Sequence, residues 1–286
     1  MAIDYQKLLE LQIPETRHSY THKDSILYAL SLGYCSDPMD AQQLSLVYED
    51  GLRAIPTMGI VLAHPGFWPR DLDTGLDPVR IVHAEQGLKL HKPLPAQAQV
   101  IGQSRIVDII DKGPEKGALI TCERRILEAG SGELLCTVTQ VLLARDDGGF
   151  GGPQRSAPAP HVIPERPAEL EVDLQTPENM ALLYRLNGDW NPLHADPQIA
   201  RQAGFQRPIL QGLATWGLAV RAILQTVCAY DVTQVASVFG RFTAPAYPGE
   251  TFRTEIWVDG LIVSFRVRSL ERDVTVINHG RVELRG

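Results

Sequence analysis

Three short stretches of this chain recur at nearly one spacing, and that recurrence constrains the fold more than any other feature. Ile26-Leu27-Tyr28-Ala29-Leu30 resembles Leu182-Leu183-Tyr184-Arg185-Leu186, 156 residues later. Arg53 through Met58-Gly59 resembles Arg207 through Gln211-Gly212, and Lys89 through Pro95 resembles Arg241 through Pro248, both offset by about 153. One common offset implies a duplicated unit, with two copies side by side. Each copy carries four β-rich runs separated by turn signals. In the first these are Val79–Leu90, Ala98–Ile110, Gly117–Leu127 and Glu133–Ala144. In the second they are Val235–Ala244, Thr251–Val258, Leu261–Ser269 and Asp273–Leu284. Such runs predict an antiparallel meander in each half.

Gly148-Gly149-Phe150-Gly151-Gly152, followed by five prolines up to Pro167, reads as an extended linker. It divides the chain into an N-terminal unit (1–147), a Gly/Pro-rich linker (148–170) and a C-terminal unit (171–286). Residues 1–24 are polar and read as a mobile arm. Ser25–Leu32 reads as a short helix with Asp24 as its cap.

Each sheet needs something to wrap. In the second half Gly212–Val227 is apolar nearly all round, the signature of a buried helix. A long helix cradled by one antiparallel sheet is the hot-dog arrangement, so the expected class is α+β, a tandem double hot dog. In the first half the equivalent segment begins at Gly59 and is cut by Pro65, so its central helix is short or interrupted.

Composition narrows the function classes. The 286 residues are 44% hydrophobic and 21% charged, which suits a globular core. A net charge of −7 with interspersed signs lacks the basic stripe of a nucleic-acid binder. No run of eighteen apolar residues suggests a membrane span, and no targeting pattern is evident. Cys35, Cys122, Cys136 and Cys228 lie far apart, and those in strand runs read as buried thiols. A cytoplasmic protein is expected.

Chemistry concentrates in Tyr184-Arg185-Leu186-Asn187-Gly188-Asp189-Trp190-Asn191-Pro192-Leu193-His194. A carboxylate, a carboxamide and an imidazole lie between a glycine and just past a proline. Asp189 and His194 can converge on one small molecule such as water, with Asn191 orienting the water or the ring. The bland alternative is a capping Asp and a satisfied structural His. A calcium loop fails because its twelfth position is Ala200, and zinc lacks further ligands, so no metal is expected. Gly212, at the start of the buried helix, offers a free N–H where an anionic oxygen would be stabilised. Under the Tyr28/Tyr184 alignment Gly33 falls opposite Asp189, and Pro38 opposite His194. The first copy has therefore lost the pair and is free to bind.

The stretch Gly188-Asp189-Trp190-Asn191-Pro192-Leu193-His194, with Ala200 six residues on, resembles the signature of type 2, (R)-specific enoyl-CoA hydratases of the MaoC-like group. The resemblance continues through Gly204–Leu213, Arg241-Phe242, Tyr247–Glu250, His83–Gln86, Lys92–Pro95 and Gly148–Gly152. It covers nearly the whole chain, and is similar to the double-hot-dog hydratase unit of peroxisomal multifunctional enzymes. It implies reversible hydration of a trans-2-enoyl-CoA to a (3R)-3-hydroxyacyl-CoA. Asp189 and His194 would activate water, Asn191 would support them, and the Gly212 N–H would polarise the thioester oxygen. Gly188, Pro192, Gln211, Leu213, Arg207, Phe150 and Gly151 are candidate substrate contacts, with Glu85 in a structural role. Arg207, Arg241 and Lys112 are candidates for the coenzyme phosphates.

Coenzyme A is then part of the substrate and no separate cofactor is implied; a homodimer is a further expected partner. The roomy, helix-interrupted first half would hold the acyl chain. Two positions depart from the family, Gln211 for a usual His and Ala84 for a usual Gly, leaving room for an altered substrate. The alternatives are a dehydratase for another thioester (branched, sterol-derived, dicarboxylic or carrier-bound), or a non-catalytic acyl-CoA binder or thioesterase on the same fold.

Overall fold

A computed structural model describes residues 3–286. Its ten strands form one continuous sheet in the order β1-β3-β4-β5-β2-β7-β10-β9-β8-β6. The first-half strands are β1 (Thr16–Tyr20), β2 (Ile81–Leu90), β3 (Ala98–Asp111), β4 (Ala118–Glu128) and β5 (Leu134–Ala144). The second-half strands are β6 (Leu170–Gln175), β7 (Val235–Phe242), β8 (Thr251–Asp259), β9 (Ile262–Ser269) and β10 (Val274–Leu284). Read from its two edges inward, the order is the same motif twice, as the repeat requires. The copies join through antiparallel pairing of β2 with β7, where Glu85 stands opposite Arg241. Their ion pair, with Arg241 Nε donating to Glu85 Oε1 at 2.7 Å, spans the join. Glu85 thereby ties the two copies at their seam.

The predicted buried helix is α6 (Gly212–Thr226), and every residue from Ala214 to Leu224 is buried. It packs against β6, β8 and β9, with Val263, Phe265 and Val267 among its apolar neighbours in one core. Its counterpart in the first half is absent as a helix. Pro56–Ile60 makes a 3-10 turn, and α3 (Trp68–Asp71) is a single turn beyond Pro65. The proline and the missing run of helix formers account for that interruption.

The two copies also meet through helices. Tyr28 of α2 (His22–Ser31) and Tyr184 of α4 (Met180–Tyr184) lie 6.1 Å apart between ring centroids, so the paired tyrosines of the repeat touch. Arg221 of α6 reaches the first half, donating to Leu32 O at 3.0 Å and stacking over Tyr34. Gly33 has a left-handed φ of 75°, and a Cβ there would sit 2.6 Å from the Arg221 guanidinium. The position opposite Asp189 has thus become a seat for an inter-half contact.

Four expectations need correction. The N-terminal arm is ordered where described: α1 (Tyr5–Leu9) buries Leu8 in a second core cluster with Ile3 and Ile13, and β1 pairs with β3. Its polarity misled because β1 is an edge strand held by backbone pairing rather than by apolar side chains. Met1 and Ala2 lie outside the described residues. The second helix starts earlier, at His22, with Thr21 as N-cap; Asp24 is the third helical residue and accepts back from the Thr21 N–H, closing a capping box. Strand β6 was not foreseen. Finally, the linker has no helix or strand between β5 and β6, yet it is fastened. Asp111, 2% exposed, accepts from the N–H groups of Gly113, Gly149 and Gly151, and His161 bonds Ser264 at 2.7 Å.

Candidate active site

Helix α4 runs into a 3-10 turn at Arg185–Asn187, which Gly188 ends at φ 111°. A left-handed residue there redirects the chain at little cost only if it is glycine. The chain then turns again at once. Asn191 Oδ1 accepts from the Leu193 N–H at 3.0 Å and caps the 3-10 turn Pro192–His194, with Pro192 pre-set for its first position. Asp196 caps α5 (Pro197–Gln202) directly afterwards. Two local caps and one glycine therefore fix where Asp189 and His194 point.

His194 is 8% exposed, and its Nδ1 lies 2.8 Å from Ile209 O. A carbonyl oxygen only accepts, so Nδ1 bears a hydrogen, and in the neutral ring Nε2 presents a lone pair. That Nε2 is 3.7 Å from Asp189 Oδ2. The gap is too long for a direct hydrogen bond, and both atoms are acceptors. Two acceptors at that spacing suit one bridging water, which would give a hydrogen to each and keep its own lone pairs free.

Gly212 lies three residues beyond Ile209. As the first residue of α6, its N–H has no partner within the helix and sits at the positive end of the dipole. Phe242 covers the Cα: a Cβ on Gly212 would come within 3.0 Å of the ring. His83 meets the same ring edge-on at 4.9 Å, and burial pushes its imidazole down to about 4, so it is neutral. This aromatic wall was missed in sequence, where His83 carried only a motif match. The anchor on Ile209 was invisible too, because it is a backbone carbonyl.

Tyr184 is also close. Burial first, then Tyr28 and the charge of Asp189, hold its phenol well above the ordinary range.

The remaining candidates divide. Asn191 turns its carboxamide oxygen to its own turn and does not reach the imidazole through it. Gln211 is buried and donates to Ala181 O at 3.0 Å, tying the start of α6 to α4, while its Oε1 has no partner among the described residues. Leu213 lines a cavity in the first half. Phe150 packs on the second core cluster and Gly151 binds Asp111, so both fasten the linker. Arg207 is engaged with Glu178 at 3.1 Å and lies over Tyr247, and Arg241 is engaged with Glu85. Lys112 is exposed. Among the described residues, no helix is long and apolar enough to cross a membrane.

The profile described as MaoC like domain matches residues 160–279, and that of the MFE-2 hydratase 2 N-terminal domain matches 18–146. Enoyl-CoA hydratase ChsH3 of Mycobacterium tuberculosis is 39% identical over 99% of both chains. The peroxisomal enoyl-CoA hydratase 2 of Arabidopsis thaliana is 37% identical, covering 98% of this chain and 94% of the relative. The crystal structure of a MaoC-like dehydratase from Phytophthora capsici superposes with a TM-score of 0.87 at 28% identity, covering 99% of each chain. Signature loop, doubled sheet and full-length relatives agree: this chain belongs to the MaoC-like dehydratases, in the double-hot-dog, hydratase 2 form of that family.

Proposed function

We propose that this protein hydrates a trans-2-enoyl-CoA to the (3R)-3-hydroxyacyl-CoA, reversibly, at the site formed by Asp189, His194 and Gly212. The observation that carries the reading is the pair of acceptors, Asp189 Oδ2 and His194 Nε2, held 3.7 Å apart with His194 fixed through its other nitrogen. A water donating to both presents its oxygen to C3. As the C3–O bond forms, the π electrons of C2=C3 move towards C1 and the negative charge gathers on the thioester oxygen. The Gly212 N–H stabilises that charge; one such donor is worth about 10²–10³ in rate. The proton taken from water by the pair is returned to C2, which closes the balance. No net oxidation occurs, so coenzyme A enters only as part of the substrate and the chemistry asks for no redox group. Asn191 acts by holding the turn. The doubled unit pairs two hot dogs within one chain.

The test is the loss of the enoyl-thioester absorbance on mixing with crotonyl-CoA and longer homologues, with chiral analysis of the product. The expected product is the 3R alcohol. Release of free thiol instead would mark a thioesterase, and no turnover at any chain length would end the hydratase reading.

A further inference from the structure

On β4 the alternation of a strand places Ile120, Cys122, Arg124 and Ile126 on one face, and all four are buried. Three are what a core face needs. Arg124 is not. It is 7% exposed and sits where the two core clusters stop, with Cys122 in one and Ile126 in the other. One terminal nitrogen donates to Ile60 O, while Nε has no partner among the described residues. Burial lowers its pKa only to about 10, so the guanidinium is cationic at neutral pH; the Cys122 and Cys136 thiols beside it are pushed up to about 12 and stay neutral, and no carboxylate pairs with it among the described residues. A buried, unpaired cation is costly, and a chain retains one where a counter-ion arrives.

The register shows that Arg124 is not isolated. Ser104 and Val138 flank it on the neighbouring strands, while Cys122 lies beside Gln140, and Gln140 beside Gln86. Cross-strand partners share a face. The concave side of the first-half sheet therefore carries Ser104, Arg124, Gln140 and Gln86 together. The corresponding strand of the second half, β9, presents Val263, Phe265 and Val267, and α6 covers it. In the first half no helix covers the polar group.

Instead a cavity of about 30 Å³ lies there, its lining including those four residues, Trp68, Leu213 and Glu123, whose carboxylate is paired with Arg105. Leu213, the second residue of α6, connects the cavity to the helix that begins at Gly212. Its outer wall is the irregular backbone between Ile60 and Trp68. The space is close to the volume of one water, so it suits the end of a chain rather than its length.

Resting on the hydratase reading above, we infer that Arg124 is a specificity residue that takes a carboxylate at the far end of the acyl chain, making enoyl-CoA esters of dicarboxylic acids the favoured substrate class. The carboxylate supplies the missing counter-ion, and Ser104 and Gln140 are the neutral groups beside it. Occupancy displaces the Ile60–Trp68 segment outward.

The experiment compares kcat/KM for trans-2-enoyl-CoA thioesters of matched length, one series ending in methyl and the other in carboxylate. It is run on the wild type, on Arg124→Met and on Arg124→Lys, each ratio measured on one preparation. The expected wild-type result is preference for the carboxylate series at one chain length. In Arg124→Met that preference should fall by roughly 30-fold or more, the scale for losing one partner of a buried charge pair. Arg124→Lys should retain part of it, and decides the matter if the methionine variant does not fold. A wild type that hydrates the methyl series and disfavours the carboxylate series at every length overturns this inference and leaves the hydratase reading standing. A preference unchanged in both variants, or equal losses on both series, assigns Arg124 a structural role and also overturns it. Failure to hydrate either series sinks the hydratase reading itself.

Discussion

The proposed acid/base pair, Asp189 and His194, is set by very local chemistry. Gly188 supplies the left-handed residue, Asn191 and Pro192 shape the turn, and a single backbone carbonyl, Ile209 O, fixes the histidine tautomer. Replacing Asp189 with Asn puts an N–H donor where an acceptor is needed, and replacing His194 with Gln removes the basic nitrogen. Each change should lower kcat by at least ~10²-fold, the contribution of a positioned acid or base, with little change in KM. Steady-state hydration of crotonyl-CoA checks this; near-normal turnover in either variant would move the chemistry to other groups. At this scale the sequence was informative. The fold brings His194 Nε2 to 3.7 Å from Asp189 Oδ2 and sets Gly212 at the start of α6, and Asn191 serves its own turn through its carboxamide oxygen. Gln211 and Gly151 have protein partners, Ala181 O and the Asp111 carboxylate, that sequence could not show, because a polar residue near a site looks alike whether it faces inward or props a neighbour.

At the scale of elements, the linker illustrates what composition misses. Glycines and prolines correctly excluded helix and strand, but the Asp111 carboxylate gathers the N–H groups of Gly149 and Gly151 into a fixed loop. Burial alone would raise this carboxyl, yet the N–H donors of Gly149, Gly113, Gly151 and Gly152 outweigh it and hold the pKa below the ordinary 3.8. A depressed folded-state pKa contributes stability above the unfolded value, and that stability is lost as pH falls through the folded one. Asp111→Asn should therefore cost about 1–3 kcal/mol near neutral pH, by leaving donors unpaired. The difference from wild type should shrink below pH 3.8. Urea unfolding at several pH values measures it, and a gap that widens in acid would refute the assignment. The N-terminal arm taught the same lesson: β1 shows almost no apolar alternation, and only the presence of β3 beside it makes it a strand.

Across the whole molecule, the halves are not independent bodies joined by a tether. They share one sheet through β2 and β7, one main core cluster, and the Arg221 contacts from α6 into the first half. Equilibrium unfolding should accordingly be one cooperative transition by fluorescence and circular dichroism alike. Arg221→Met, which strips the carbonyl of Leu32 of its donor, should lower stability by about 1–3 kcal/mol without splitting the transition. Two resolved transitions in the wild type would show that the halves fold separately.

The sequence by itself determined the duplication, the eight long strands, the long buried helix and the loop that carries Asp189 and His194. Each rests on periodicity or on turn chemistry, which are properties of neighbours along the chain. Tertiary structure decided the rest: the fusion of two sheets into one, the aromatic wall of His83 and Phe242 over Gly212, the backbone anchor of His194, and the exposure of Arg124 to a cavity rather than to solvent. These depend on which residues meet across more than a hundred positions of sequence. An arginine on an alternating strand is only an exception to the pattern until the fold shows that, among the described residues, no helix covers it and no carboxylate pairs with it.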